Sequence, residues 1–325
     1  MRKNILKLLS LGFIALFTSG CKSMDYFSDF LYEALGETND VYEDYRASND
    51  NKSTVKGFDG EGNLKVHFID VEQGDSIFIE FPDDETMLID AGDRWYGGKV
   101  TDYIYSFGYD TLDYVVATHP HADHIGGMAD VINSFNVNNI YISPATSATV
   151  TYEEFLDAAR GSGADIIVPD VGEYIKRTKD ITVEVLGPEY QMKYKNLNNA
   201  SIIVKLTYGN NSFLFMGDAE NEEESYIYTT CDVLKLGHHG SSTSSSLDFL
   251  KRTKPTYVVI SCGLGNSYGH PHSETIEKLA ELHLWVNATY KQGTIVYTSD
   301  GTNINSDKEL FRYAASDEIL TGGIF

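Results

Sequence analysis

Three histidines and an aspartate fall within six residues in Thr118-His119-Pro120-His121-Ala122-Asp123-His124. Imidazole nitrogens and carboxylate oxygens are the donors that suit zinc and similar divalent ions. In an extended loop His119 and His121 point the same way, because side chains alternate. Asp123 and His124 then fall where the chain turns into a helix. The stretch follows Leu112 to Ala117, a Val-rich run that reads as a buried strand. So dense a polar cluster beside a buried strand is costly unless it is paired or metal-bound. Two divalent ions about 3.5–4 Å apart activate water and polarise a substrate oxygen, which is hydrolytic chemistry.

The elements around this cluster must position it. Leu64 to Val71 reads as a strand, Gln73 to Ser76 as a turn, and Ile77 to Phe81 as the returning strand. Thr86 to Ile89 is another short strand, ending at Asp90. Lys99 to Phe107 and Ile125 to Phe135 read as helices. Strands near Asn139 to Ile142 and Ile166 to Val168 flank a helix at Tyr152 to Arg160. Further strands are expected at Ile181 to Leu186, Ser201 to Leu206, Ser212 to Met216, Val233 to Leu236, Tyr257 to Ser261 and Thr294 to Tyr297. A charged helix starts near Glu220, and Ser273 to Leu282 reads as a helix. Short strands interspersed with helices make a layered α/β body. With no linker inside it, residues 64–313 read as one hydrolase domain and residues 314–325 as a loose tail.

The chain has 325 residues, with 25 Lys and Arg against 48 Asp and Glu, a formal charge of −23. This balance excludes broad, charge-driven gripping of nucleic acid, so no stable nucleic-acid complex is expected. It leaves room for a local metal-lined pocket that accepts an anion. Three cysteines exclude a disulfide scaffold. Arg2, Lys3 and Lys7 precede an apolar stretch from Leu8 to Phe17, the pattern of a secretory signal over residues 1–20. Small residues before Cys21 resemble a bacterial lipoprotein cleavage site. That resemblance implies a lipid anchor on Cys21 and an extracytoplasmic protein held at the membrane; plain secretion is the alternative. Residues 21–63 read as an acidic tether.

The 118–124 stretch resembles the signature of the metallo-β-lactamase-fold hydrolases. Other positions agree in chain order. Asp90 looks like the aspartate that supports the site, Asp218 like the carboxylate that bridges two metals, and His238-His239-Gly240-Ser241 like the segment carrying the last metal-binding histidine. The implied fold is α/β, a four-layer αββα sandwich. Ile69-Asp70-Val71-Glu72-Gln73-Gly74-Asp75-Ser76 narrows the resemblance to the hydrolase domain of the ComEC-type DNA-uptake family, with Glu72 where that family has glycine. Asn198-Asn199-Ala200-Ser201, Leu234-Lys235 and Tyr268-Gly269-His270-Pro271 match the same family.

The resemblance implies two divalent ions, zinc first and manganese second. One would take His119, His121 and the shared Asp218. The other would take Asp123, His124, Asp218 and a histidine from the 238/239 pair. His239 is preferred, leaving His238 for substrate. No histidine stands between His124 and Asp218, so the family's third histidine for the first ion is missing, and Asn199 is the candidate to line that gap. Asp123 can also hydrogen-bond the nucleophile. His270 or His272 can give a proton to the leaving group, with His270 favoured. Asp90 supports a ligand histidine, and Asp75 shapes the rim or only its turn. The hydroxyls of Ser241 to Ser246 either hold phosphate oxygens or cap the helix near Leu247 to Lys251. His67, His283, Cys231 and Cys262 read as packing or surface residues.

The expected activity is hydrolysis of a phosphodiester in nucleic acid, a nucleotide or the cell envelope. The alternatives are hydrolysis of a lactone or β-lactam bond, and a metal-binding surface protein without turnover.

Overall fold

The computed structural model describes residues 62–189 and 196–314. The expected signal segment, its anchor Cys21, nearly all of the tether and residues 315–325 lie outside the described residues.

The first half of the chain runs β1 (Leu64–Phe68), β2 (Ser76–Glu80), β3 (Thr86–Ala91), α1 (Gly97–Tyr105), β4 (Thr111–Ala117), α2 (Ala122–Ile125) and α3 (Met128–Ser134). It continues with β5 (Asn136–Ile142), α4 (Val150–Ser162), β6 (Asp165–Ile167), β7 (Tyr174–Arg177) and β8 (Ile181–Gly187). The second half runs β9 (Ile203–Tyr208), β10 (Asn211–Phe215), α5 (Asn221–Glu224), β11 (Val233–Lys235), α6 (Leu247–Thr253) and β12 (Tyr257–Ile260). It ends with α7 (Ser273–Glu281), β13 (Trp285–Ala288), α8 (Thr289–Gln292), β14 (Ile295–Ser299) and β15 (Ile304–Ser306).

One sheet has the order β15-β14-β1-β2-β3-β4-β5-β6 and the other β13-β12-β11-β10-β9-β8-β7. Alternation along the strands supplies both faces of each sheet. Val66, Phe68, Ile77 and Ile79 pack between the sheets against Val183, Val185, Leu206 and Phe213. Phe78, Leu88 and Val115 point outward and bury Val100 and Ile104 of α1, Met128 and Val131 of α3, and Phe155 of α4. On the far side Leu214, Leu234 and Val258 meet Phe249 of α6 and Ile276 and Leu279 of α7. Helices, sheet, sheet and helices are the four layers of an αββα sandwich. Three separate apolar cores hold them together, each removing side chains from water.

Strands β3, β4, β5 and β6 run parallel, as do β10, β11, β12 and β13. Ala117, Phe215 and Lys235 are the carboxyl ends of β4, β10 and β11, and each opens into a segment carrying candidate metal ligands. Ligands of open α/β sheets gather at such ends.

Two local readings differ from the sequence. The single helix expected over Ile125 to Phe135 is broken into α2 and α3. A Cβ at Gly126 would lie 2.3 Å from the Arg94 backbone nitrogen, so the break brings the 92–94 loop against the turn that carries Asp123 and His124. Strands β7, β13 and β15 were not expected; each is only three or four residues long and mixes polar with apolar residues, which leaves little periodicity to read. Among the described residues no helix is long and apolar enough to cross a membrane.

Candidate metal centre

Asp90 organises the first turn of the site. It is fully buried and adopts a left-handed backbone, φ 56°. Its Oδ1 accepts from the Thr118 backbone N–H at 2.9 Å and its Oδ2 from the Thr118 hydroxyl at 2.6 Å. His124 donates Nδ1–H to the same Oδ2 at 2.7 Å. That bond fixes the tautomer and turns the Nε2 lone pair inward. The Thr118 hydroxyl, spent as a donor on Asp90, accepts from His119 Nδ1 at 3.1 Å. His119 therefore also presents Nε2 to the interior.

Four donors converge from three segments. His124 Nε2 lies 3.3 Å from His239 Nε2 and 3.1 Å from Asp218 Oδ1. His239 Nε2 lies 3.4 Å from Asp218 Oδ1 and 3.3 Å from Asp123 Oδ2. A tetrahedral ion with bonds near 2.0–2.1 Å sets neighbouring donors about 3.3 Å apart. Asp218 Oδ1 is buried and accepts no hydrogen bond, although imidazole nitrogens surround it. Converging lone pairs around an orphaned carboxylate oxygen fit a divalent cation.

Asp75 also lies within reach of His124, Asp218 and His239. Its contact with this group, however, is Oδ1 to His239 Nδ1 at 3.2 Å, on the far side of the ring. Asp123 rather than Asp75 faces the metal-directed nitrogen.

The second carboxylate oxygen of Asp218 looks the other way. Oδ2 is 3.7 Å from His119 Nε2 and 3.9 Å from His238 Nε2. His119 Nε2 is 3.0 Å from His121 Nδ1, and His119, His121 and Asp218 form a second donor group. Asp218 thus stands between two donor sets, one oxygen to each.

The pocket demands positive charge. Burial alone would push His124 down, but the Asp218 and Asp90 carboxylates outweigh it and hold the ring well above the usual imidazole range. His239 is raised the same way, against burial, by Asp218 and Asp123. His119 goes the opposite way: burial, then the neighbouring His124 charge, holds it well below that range, so it faces the interior as a neutral ring. A divalent cation answers the same demand and satisfies the lone pairs.

A cavity of about 340 Å³ opens over the two donor sets. Among its lining residues are His121, Asp123, Asp218, His238, His239 and His270. His270 is pushed down to about 3, first by burial and then by the His239 and His238 charges, so it faces the cavity as a neutral ring. His272 does not reach the cavity lining. Its Nδ1 accepts from Ser242 N–H at 2.9 Å and its Nε2 donates to the Tyr268 carbonyl at 3.1 Å, which braces the 266–272 loop. His238 is partly exposed, with Nδ1 3.1 Å from Glu220 Oε1.

One sequence expectation is corrected and one pair of alternatives is decided. Asn199 does not line the gap left by the missing histidine. Its Oδ1 accepts from Glu220 N–H at 2.9 Å and its amide reaches Glu222, while the adjacent Asn198 faces the cavity. Of the two readings of the Ser241 to Ser246 run, the structure fits capping: Glu224 accepts the Ser245 and Ser246 N–H groups, Ser244 donates to the Gly237 carbonyl, and Ser246 caps α6 by accepting from Phe249 N–H at 3.2 Å. His67, Cys231 and Cys262 are buried away from the cavity.

Sequence reasoning missed Gln73, Asp93, Asn198 and Tyr268 as cavity residues. Asp93 stood three residues after Asp90, and Tyr268 directly preceded the Gly269-His270 pair; both carried that positional signal. It also missed Glu220 behind His238, for which no local pattern exists.

A family model described as the metallo-beta-lactamase superfamily matches residues 69–263. ComE operon protein 3 of Bacillus subtilis is 31% identical over 255 residues, 72% of this chain and 33% of that protein. Recombination protein 2 of Haemophilus influenzae is 26% identical over 239 residues, 71% of this chain and 28% of its own length. The chain spans about a third of the length of these curated relatives, and they bear out the resemblance drawn from the 69–76 turn. The metallo-beta-lactamase fold protein YhfI of Bacillus subtilis, 15% identical, superposes with a TM-score of 0.50 over 74% of this chain and all of that one, a likeness of fold.

Proposed function

The chain belongs to the metallo-beta-lactamase superfamily as a metal-dependent hydrolase, and on that premise we propose that it cleaves a phosphodiester outside the cytoplasm. The observation that carries this reading is the placement of Asp218, with one oxygen toward His124 and His239 and the other toward His119 and His238. A carboxylate between two donor sets under an open cavity suits a pair of cations clamping a phosphate.

His124, His239, Asp123 and Asp218 would hold one ion, zinc or manganese, and His119, His121 and Asp218 the other. When bound, such ions lower the pKa of water and polarise a phosphoryl oxygen. The protein's own groups do the rest. Asp90 and Thr118 fix the tautomers of His124 and His119. Asp123, exposed at 28% of its side chain, accepts a hydrogen bond from attacking water. His238, backed by Glu220, donates to a phosphate oxygen from the cavity wall. His270 lies over the leaving-group side; as a neutral ring it gives or accepts a hydrogen bond rather than delivering a charge-driven proton.

Tyr268 is 63% exposed at the cavity and lies 5.7 Å from the His270 ring at an interplanar angle of 16°. Such a flat face suits a planar group beside the phosphate, worth about 1–3 kcal/mol per stacked base. No lysine or arginine is among the lining residues. With the acidic balance of the chain, this favours a short phosphodiester over a long nucleic-acid duplex. A lipid anchor on Cys21 would tether the hydrolase at the outer face of the cell membrane.

The test is hydrolysis of bis-p-nitrophenyl phosphate by the zinc- or manganese-loaded protein, alongside nitrocefin and a lactone panel. Turnover of the phosphodiester that vanishes in His121→Ala supports the reading. Turnover of nitrocefin or a lactone alone replaces it with C–N or C–O hydrolysis.

A further inference from the structure

Lys235 ends β11 in the middle of its sheet, with no exposed surface. Its Nζ lies 2.7 Å from Asp75 Oδ2 and donates to the Leu236 carbonyl at 2.8 Å. Asp75 belongs to the 73–75 turn between β1 and β2, in the opposite sheet, and is 1% exposed. The ion pair therefore ties the two sheets together beneath the metal centre. Buried lysines are rare and costly, and an apolar side chain of similar volume would usually serve stability as well. The position calls for a reason beyond packing.

The reason lies in what Asp75 would do alone. Its Oδ1 is 3.2 Å from His239 Nδ1, and it sits within ligand range of His124, Asp218 and His239. His239 Nδ1 is also 3.0 Å from the Ser261 carbonyl. A carbonyl only accepts, so Nδ1 carries the proton and Nε2 faces Asp123, Asp218 and His124. Asp75 adds a negative charge behind that N–H, which makes the ring a stronger donor to a cation. The turn that carries Asp75 has no slack: a Cβ at Gly74, φ 132°, would meet the Asp123 carbonyl oxygen at 2.2 Å. An unpaired carboxylate there would turn to the nearest cation.

We propose that Lys235 is a positioning residue which holds Asp75 behind His239 and keeps it out of the metal's own ligand set. The inference rests on the metal-centre reading above. Lys235 touches neither ion nor substrate, and acts only through Asp75.

The experiment is competitive titration of Co(II) against a chelator on the full chain, for wild type, Lys235→Met, Asp75→Asn and the double variant. Lys235→Met should change Co(II) affinity about ten- to a hundredfold, the range for moving an outer partner of a ligand. Its visible bands should also change as Asp75 joins the ion. On the Asp75→Asn background the same substitution should alter affinity by less than about twofold, because no carboxylate remains to be held. A purely structural lysine would cost the same on both backgrounds.

The proposal is overturned if Lys235→Met binds Co(II) as wild type does, or if its cost is equal on the two backgrounds. Should Lys235→Met not fold, Asp75→Asn and the double variant still decide. Both lack the buried carboxylate; equal affinities uphold the proposal and a further tenfold loss or more, well beyond additivity error, overturns it. A wild type that takes up no Co(II) sinks the metal-centre reading and this inference together. A wild type that binds, with Lys235→Met unchanged, sinks the inference alone.

Discussion

His124 and Asp90 meet at 2.7 Å with both side chains sealed from solvent. The same carboxylate takes both polar groups of Thr118, so one aspartate sets the ring of His124 and, through Thr118, the ring of His119. Asp90→Asn keeps the shape but replaces one acceptor oxygen with an NH₂ group. Zinc affinity should fall about ten- to a hundredfold, the cost of losing a partner behind a ligand. Chelator competition on the purified variant measures it, and an unchanged zinc affinity would remove Asp90 from the site.

The imidazole-rich loop was legible because its spacing is local: alternation aims His119 and His121 together, and the turn into α2 brings Asp123 and His124 beside them. A layered α/β body was legible from strand-length apolar runs such as Leu112 to Ala117, and its four layers through the family resemblance. What stayed hidden is made by pairs distant in sequence. Lys235 meets Asp75 across 160 positions, and Glu220 meets His238 only because β10 and β11 are neighbours. Asn198 rather than Asn199 faces the cavity because of a short 3₁₀ turn, Leu197–Ala200, whose rotation no periodicity records. Glu72, at φ 52°, takes the left-handed backbone that its family fills with glycine, so the turn keeps its shape despite the change of residue.

Gly126 sits where α2 ends, with a would-be Cβ 2.3 Å from Arg94 N and 2.4 Å from the Ala122 carbonyl oxygen. Both neighbours are backbone, so neither can swing aside. Gly126→Ala should cost about 2–3 kcal/mol through forced backbone shifts. For a domain of this size that is a fall in Tm of about 4–12 °C. Differential scanning calorimetry reads it, and a Tm within a degree of wild type would contradict the packing.

Glu80 is nearly buried beneath α1, and burial alone would raise its carboxyl. Hydrogen bonds from His67, Lys65 and Tyr109 outweigh that and hold it at about 2, against 4.5 for the free group. A depressed folded value stabilises the protein above pH 4.5, and the benefit is lost as pH falls from about 4.5 through about 2. The shift corresponds to at most about 3 kcal/mol at neutral pH. Glu80→Gln should therefore be less stable than wild type at pH 7, with the gap closing between pH 4.5 and 2. Urea unfolding of the two proteins at stepped pH follows the gap; one that stays constant or widens in acid would reverse the assignment.

His238 and His239 are adjacent and both left-handed, φ 48° and 56°, so their rings diverge instead of sharing a task. His239 is buried with Nε2 among Asp123, Asp218 and His124, whereas His238 leans on Glu220 at the cavity wall. Removing His239 takes away one of four converging donors and leaves Asp123 and Asp218 facing each other across a buried gap. His239→Ala should lose more than about a hundredfold in affinity at that ion, exceeding the loss expected for an outer partner. His238→Ala should retain that ion and lose turnover, since the proposed function sets its ring against the phosphate. Elemental analysis after dialysis, read beside bis-p-nitrophenyl phosphate turnover, separates the two. Equal metal loss in both variants would make His238 a ligand as well, and would fill the place of the missing third histidine from the same short segment.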